Sequence, residues 1–198
     1  MIHGILLAAG ESRRMGYPKP LLEIDSETFA ARLVRLMLPV VARLTVVVGA
    51  HADRVRPAIP NDARVSIVAN PDWMRGQLSS IRAGIRALPP DASAAMVHLA
   101  DHPKVKASTF AAVTETYQRS GKPIVIARCD GRRGHPVIFD RSIFAELLEA
   151  PDGQGARVVV NVDPSRIVYV DVDDAGILLD LDTPQELTRA GLTLPAHR

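Results

Sequence analysis

The sequence of 198 residues predicts an α/β fold, a single doubly wound domain with a mostly parallel sheet. Short β-branched apolar runs alternate with amphipathic stretches along the whole chain, the pattern that packs helices on both faces of a parallel sheet. The length suits one domain with a sizeable core. No composition shift, repeat or low-complexity segment divides the chain, so residues 1–198 are expected to form one domain.

The elements follow in order. The apolar run Ile5–Leu7 reads as a buried strand, which is expected over Ile2–Leu7. Thr28–Leu38 reads as a helix, because Phe29, Leu33, Leu36 and Val40 recur at helical spacing while Arg32 and Arg35 fall outside the stripe. Strands are expected at Leu44–Val48, Val65–Val68, Ala95–Leu99, Pro123–Ala127, Pro136–Phe139 and Arg166–Val170, and helices at Ala52–Ala58, Leu78–Ala87, Ser108–Ser120 and Arg141–Glu149. Pro89-Pro90-Asp91 and Pro151-Asp152-Gly153-Gln154-Gly155 read as surface loops, and the acidic run Asp171–Asp174 as a solvated turn. A last helix, Pro184–Gly191, is marked by Thr183 as N-cap and by proline at the first helical position.

Composition narrows the function. Apolar residues make up 47% and charged residues 23%, ordinary for a globular protein. A net charge of +2 is too small for a general nucleic-acid or membrane surface, and 4% aromatic residues argue against a stacking platform for nucleic acid. Cys129 is the one cysteine and cannot form an internal disulfide. No membrane span and no signal peptide is legible, so the cytoplasm is expected.

The chemistry starts where the first run stops. After Leu7 come Ala8, Ala9 and Gly10, then Ser12, Arg13, Arg14, Met15, Gly16 and Lys19. Small residues let backbone approach a ligand, successive N–H groups can form an anion-binding nest, and Arg and Lys supply charge where phosphates sit. Glycine and positive charge thus converge at the end of a buried strand, as expected of a nucleoside triphosphate site. The spacing fits neither a Walker A loop nor the dinucleotide fingerprint. Asp101 follows the run Met96–Ala100 and points into the crevice beyond the strand ends; its residue context suits a Mg²⁺ ligand and a turn or N-cap aspartate equally. Asp180 and Asp182 share one face of an extended segment. The six histidines show no zinc-site spacing; His135 reads as a core histidine or a ligand contact.

The opening block resembles the signature of the MobA-like nucleotidyltransferases, matched at Leu7, Ala8, Ala9, Gly10, Ser12, Arg14, Met15, Gly16, Lys19, Leu21 and Leu22. Further blocks follow in the family's order: Asn70-Pro71 with Gly76-Gln77-Leu78-Ser79-Ser80, Leu99-Ala100-Asp101-His102-Pro103, Gly134-His135-Pro136 and Asp180–Glu186. His102 departs from the residues usual at its position. Ala8-Ala9 and the Gly-His-Pro block are closer to the molybdenum cofactor cytidylyltransferase branch. The resemblance implies the Rossmann-like fold of nucleotide-diphospho-sugar transferases and Mg²⁺-dependent transfer of CMP from CTP to a molybdopterin-type cofactor, with release of pyrophosphate. It implies Arg14, Lys19 and Asp101 as catalytic residues and Asp101 and Asp182 as metal ligands. Nucleotide contacts are implied at Leu7, Ala8, Ala9, Gly10, Ser12, Arg14, Gly16, Lys19, Asn70, Gly76, Ser79 and Ser80, and acceptor contacts at Gly134, His135 and Pro136. A molybdoenzyme or chaperone partner is implied as well. Two other readings stay open: the same half-reaction with GTP or ATP or onto a sugar, polyol or other pterin phosphate, and a non-catalytic nucleotide carrier.

Overall fold

Apolar runs became strands where the sequence places them, and the sheet they form is seven strands wide. A computed structural model describes residues 1–195. In chain order it contains β1 (Ile2–Ala8), β2 (Glu23–Ile24), β3 (Glu27–Thr28), α1 (Phe29–Met37), β4 (Leu44–Val48), α2 (Ala52–Val55), β5 (Val65–Ala69) and α3 (Gln77–Arg86). There follow β6 (Ala94–Leu99), α4 (Ala107–Ser120), β7 (Ile124–Cys129), β8 (Arg132–Asp140), α5 (Phe144–Glu149), α6 (Arg157–Val160), β9 (Ile167–Asp171) and α7 (Pro184–Arg189).

The sheet order is β5–β4–β1–β6–β8–β7–β9, and β2–β3 is a separate two-stranded hairpin. β1 lies parallel between β4 and β6, and only β8 runs antiparallel to its neighbours. Alternation in β1 divides the core: Leu6 and Ala8 face one helical layer, Ile5 and Leu7 the other. The first layer holds Leu33, Val34 and Met37 of α1 with Phe110 and Val113 of α4; the second holds Leu78, Ile81 and Ile85 of α3 with Phe144 and Leu147 of α5. A third, smaller cluster stands apart from the sheet: Met15, Leu22, Ile24, Phe29, Leu181 and Leu187. It joins the segment after β1 and the β2–β3 hairpin to the start of α7.

Three local expectations change. The strand expected at Pro136–Phe139 begins at Arg132, because Asp130 (φ 49°) and Gly131 (φ 73°) form a two-residue turn that pairs Cys129 with Arg132. α2 ends at Val55, the backbone continuing as a 3₁₀ turn through Ala58. The acidic run is not simply solvated: Asp174, 2% exposed, accepts hydrogen bonds from Lys106 N (2.8 Å), Thr109 Oγ1 (2.5 Å) and Gly176 N (3.0 Å). It ties the start of α4 to the turn Ala175–Leu178, satisfying N–H groups that helix starts leave open. No helix among the described residues is long and apolar enough to cross a membrane.

Candidate functional site

Every strand of the sheet except β8 ends on one edge, and β8 starts there, so loops from distant parts of the sequence meet. The segment after β1 is fixed from both sides. Ser12 holds a left-handed backbone (φ 56°), its carbonyl accepting from Met15 N and Gly16 N at 3.0 Å each and its Oγ from Lys19 N at 3.0 Å. Gly16 also lies at positive φ (71°), which a β-carbon would strain. Between them Met15, 2% exposed, plugs into the third apolar cluster.

This loop delivers Lys19 to a nest of carboxylates. Lys19 Nζ donates to Asp101 Oδ2 and Asp182 Oδ1, both at 2.6 Å, and lies 3.7 Å from Asp180 Oδ1. Arg14 pairs with the other oxygen of Asp182. Asp101 comes from the turn after β6; its carbonyl accepts from Leu181 N at 3.3 Å, which docks the segment carrying Asp180 and Asp182. A capping box of Thr183 and Glu186 opens α7, and Glu186 Oε2 also accepts from Asp182 N at 3.0 Å. Thr183 caps α7, and Lys106 occupies the N-cap position of α4 without a capping side-chain bond, so neither Asp101 nor Asp182 serves as an N-cap.

The electrostatics follow from burial and pairing. Burial opposes the Lys19 ammonium, but the charge and hydrogen bond of Asp101, helped by Asp182, outweigh it and raise its pKa. Burial likewise opposes the Asp101 carboxylate, and Lys19 reverses the balance and holds the pKa below the ordinary value. Asp180 gains less from Lys19: burial and the charge of Asp101 push it up to about 6.

A hard divalent cation fits this donor set. Asp101 Oδ1 is buried and has no hydrogen-bond partner, and Asp101, His102 and Asp180 each offer a ligand atom within 4.8 Å of the others. Asp182 is occupied differently, one oxygen bonded to Lys19 and the other to Arg14.

Three adjoining clefts surround the nest. One of about 220 Å³ is lined by Leu7, Ala8, Gly10, Ser12, Arg14, Lys19, Asp101 and Asp182. The next, of about 510 Å³, runs from Ala9 and Gly10 past Trp73 and Met74 to Gly76, Gln77 and Ser80. The largest, of about 840 Å³, is lined by Gly134 and His135, by His102 and Asp180, and by Arg75, Arg132, Arg133 and Arg157.

Most residues singled out from the sequence thus line one continuous crevice, and four do not. Gly16 shapes the first loop from outside it. Asn70, 4% exposed, lies behind the wall, donating to Ser79 Oγ (2.8 Å) and Ser80 Oγ (3.0 Å) and accepting from Asp72 N (3.0 Å). Ser79 spends its hydroxyl in that staple and on backbone carbonyls of Asp72 and Gly76. Pro136, joined to His135 by a cis peptide bond, is buried in β8. Gly134 is required sterically, since a β-carbon there would lie 2.4 Å from the Ile177 carbonyl oxygen.

His135 packs its ring 5.7 Å from His102 and 6.4 Å from His98, and burial with the nearby His102 pushes its pKa down to about 4, so it is neutral at pH 7. His102 is lowered by burial, which outweighs the opposing pull of Asp101. Sequence reasoning did not find the four arginines; Arg132-Arg133, directly ahead of Gly134-His135-Pro136, was the available signal.

Comparison with known proteins adds to this geometry. A family model described as the MobA-like NTP transferase domain matches residues 4–167. The molybdenum cofactor cytidylyltransferase of Escherichia coli (strain K12) is 24% identical over 186 residues, covering 94% of this chain and 93% of its own. A probable molybdenum cofactor guanylyltransferase of Bacillus cytotoxicus is 28% identical, covering 89% of this chain and 87% of its own. Among solved structures, Rv0371c of Mycobacterium tuberculosis H37Rv superposes with a TM-score of 0.82 at 27% identity over 96% of this chain and 97% of that one. The same protein in complex with manganese gives a TM-score of 0.75 at 26% identity over 95% and 96% of the two chains.

Proposed function

The chain belongs to the MobA-like NTP transferase family, and we propose that it moves CMP from CTP to a molybdopterin-type cofactor with release of pyrophosphate. The observation that carries the proposal is the meeting of Arg14 and Lys19 with Asp101, Asp180 and Asp182 at the junction of the three clefts. An oxygen of the acceptor's phosphate attacks the α-phosphorus of CTP, a new P–O–P linkage forms, and the bond to the β-phosphate oxygen breaks. The attacking phosphate is already ionised, so the chain needs no strong general base. Its task is to position both substrates and to stabilise charge.

Arg14 and Lys19 would face the triphosphate and the departing pyrophosphate, and backbone N–H groups between Gly10 and Arg14 would supply the phosphate nest. Asp101, with Asp180 and Asp182, would hold a divalent cation, Mg²⁺ by the family resemblance; when bound it neutralises phosphate oxygens and aligns the reacting groups. The cleft past Trp73, Gly76 and Ser80 has the place and size for the nucleoside. Arg75, Arg132, Arg133 and Arg157 around the largest cleft suit an acceptor that carries phosphate. His135, neutral and fixed among other rings, would contact it by hydrogen bond rather than by charge.

Pyrophosphate release by purified protein with each of CTP, GTP, ATP and UTP, with and without molybdenum cofactor, tests the proposal. Release with CTP only when that cofactor is present is the expected result. Equal release with another nucleotide would reject the base assignment, and release onto a sugar or polyol phosphate alone would reject the acceptor.

A further inference from the structure

His102 sits where the metal reading leaves an open question. It is 7% exposed, and its Nε2 lies 3.7 Å from Asp101 Oδ1, beyond hydrogen-bond reach. Asp101 Oδ1 and His102 Nδ1 are both buried without a partner. Buried polar atoms are seldom left unmet, and the Asp101 oxygen, which His102 Nε2 approaches, needs an explanation. Lys19 does not supply it, because its ammonium bonds Oδ2, the opposite oxygen of the same carboxylate.

We propose that His102 is a nitrogen ligand of the divalent cation at Asp101 and Asp180, and that this donor makes the site select Mn²⁺ over Mg²⁺. The inference rests on the reading of Asp101 as a metal residue. Two atoms each about 2.1 Å from one cation lie up to about 4.2 Å apart, so the 3.7 Å gap between His102 Nε2 and Asp101 Oδ1 accepts a shared ion. The Asp180 carboxylate, about half exposed and within the same 4.8 Å group, has freedom to close on it. Lys19 need not leave, since ammonium and cation take different oxygens of Asp101. Mg²⁺ demands a near-ideal oxygen octahedron and dehydrates reluctantly, so a nitrogen donor costs it more than it costs Mn²⁺, although Mn²⁺ is the weakest binder of the first-row divalent transition ions. A packing role is the competing account: the His98 ring lies 6.2 Å from that of His102, and its Nε2 is 3.2 Å from the His102 carbonyl oxygen.

The test is binding of Mn²⁺ alone to the chelator-treated full chain, read by electron paramagnetic resonance with nitrogen modulation, beside calorimetry with Mg²⁺. A modulation from directly bound ¹⁴N is expected in the wild type and is lost in His102→Gln. That substitution lowers Mn²⁺ affinity about tenfold and Mg²⁺ affinity less than twofold. Mn²⁺ bound without nitrogen modulation, or equal losses for both ions, overturns the ligand role while leaving the carboxylate site standing. Failure of the wild type to bind Mn²⁺ overturns this inference and the metal reading together. The wild-type spectrum decides the question even where the variant misfolds.

Discussion

Lys19→Met keeps the aliphatic stem of Lys19 and deletes the one cation buried among three carboxylates. In the wild type Nζ contacts Asp101 and Asp182 at 2.6 Å and Asp180 at 3.7 Å, with Lys19 only 13% and Asp101 21% exposed. Removing one member of a buried pair costs about 3–5 kcal/mol, and the partial exposure of Asp101 places this case near 3 kcal/mol. At this chain length that is a fall of about 9 °C in Tm.

The loss depends on pH in a defined direction. Wild-type Asp101 has a folded pKa below its unfolded one, so its contribution is present above the unfolded value and fades as pH falls through the folded value. Lys19 has a raised folded pKa, so its contribution is whole at neutral pH and fades only in strong alkali. Without Lys19, burial, the largest influence on Asp101, is opposed only by His102 and a backbone hydrogen bond, and its folded pKa moves above the unfolded one. The variant then loses stability as pH rises through that value. Urea unfolding in chelator at pH 7.5, 6 and 5 should show the full deficit at pH 7.5 and a smaller one at pH 5. A deficit below about 1 kcal/mol, or one equal at both ends, would refute the reasoning.

Asp180→Asn should stabilise the cation-free protein at pH 7.5 by about 1 kcal/mol, half the carboxylate being solvent-screened. The cause is a folded pKa near 6: the wild-type contribution is present below the unfolded value and lost as pH rises through about 6. The gain in Tm should therefore shrink as pH falls below about 6 and vanish below the unfolded value of 3.8, and a gain that persists there would be the wrong result. Gly134→Ala drives a β-carbon to within 2.4 Å of the Ile177 carbonyl oxygen, so thermal melting should show a loss of about 2 kcal/mol. Arg157→Ala should raise KM for the acceptor about tenfold and leave KM for nucleotide unchanged, as measured in steady-state kinetics.

The parallel strands were legible because β1 and β4 are buried at every position and carry apolar runs, Ile5–Leu7 and Val46–Val48. β8 was only half legible. Its second half, Pro136–Phe139, is apolar, whereas Arg132–Gly134 faces the crevice and carries charge and a glycine demanded by Ile177. An apolar run also carries no direction, so the antiparallel sense lay in the Asp130-Gly131 turn rather than in the strand. At the site, the loop from Ala8 to Lys19 announced itself because glycine and charge crowd a few positions. Asp180 did not separate from Asp182 by spacing; what distinguishes them is that Arg14 reaches Asp182, a contact across 168 positions. Asn70 and Ser79 show the reverse case: a motif gave their neighbourhood, and only the hydrogen bonds show that they brace the wall.

The small apolar cluster of Met15, Leu22, Phe29, Leu181 and Leu187 has a consequence for the order in which the protein is made. The ribosome releases the glycine-bearing loop well before Asp182. Every sheet strand except β1, which precedes the loop, lies between them, so a nascent chain can build both large cores while this cluster still lacks Leu181 and Leu187. Until they arrive, Met15 has only part of its socket and Lys19 lacks one of its two close carboxylates. Synthesis itself thus delays assembly of the charged centre until nearly the whole scaffold exists, and a chain stalled before Leu181 would be folded but chemically silent.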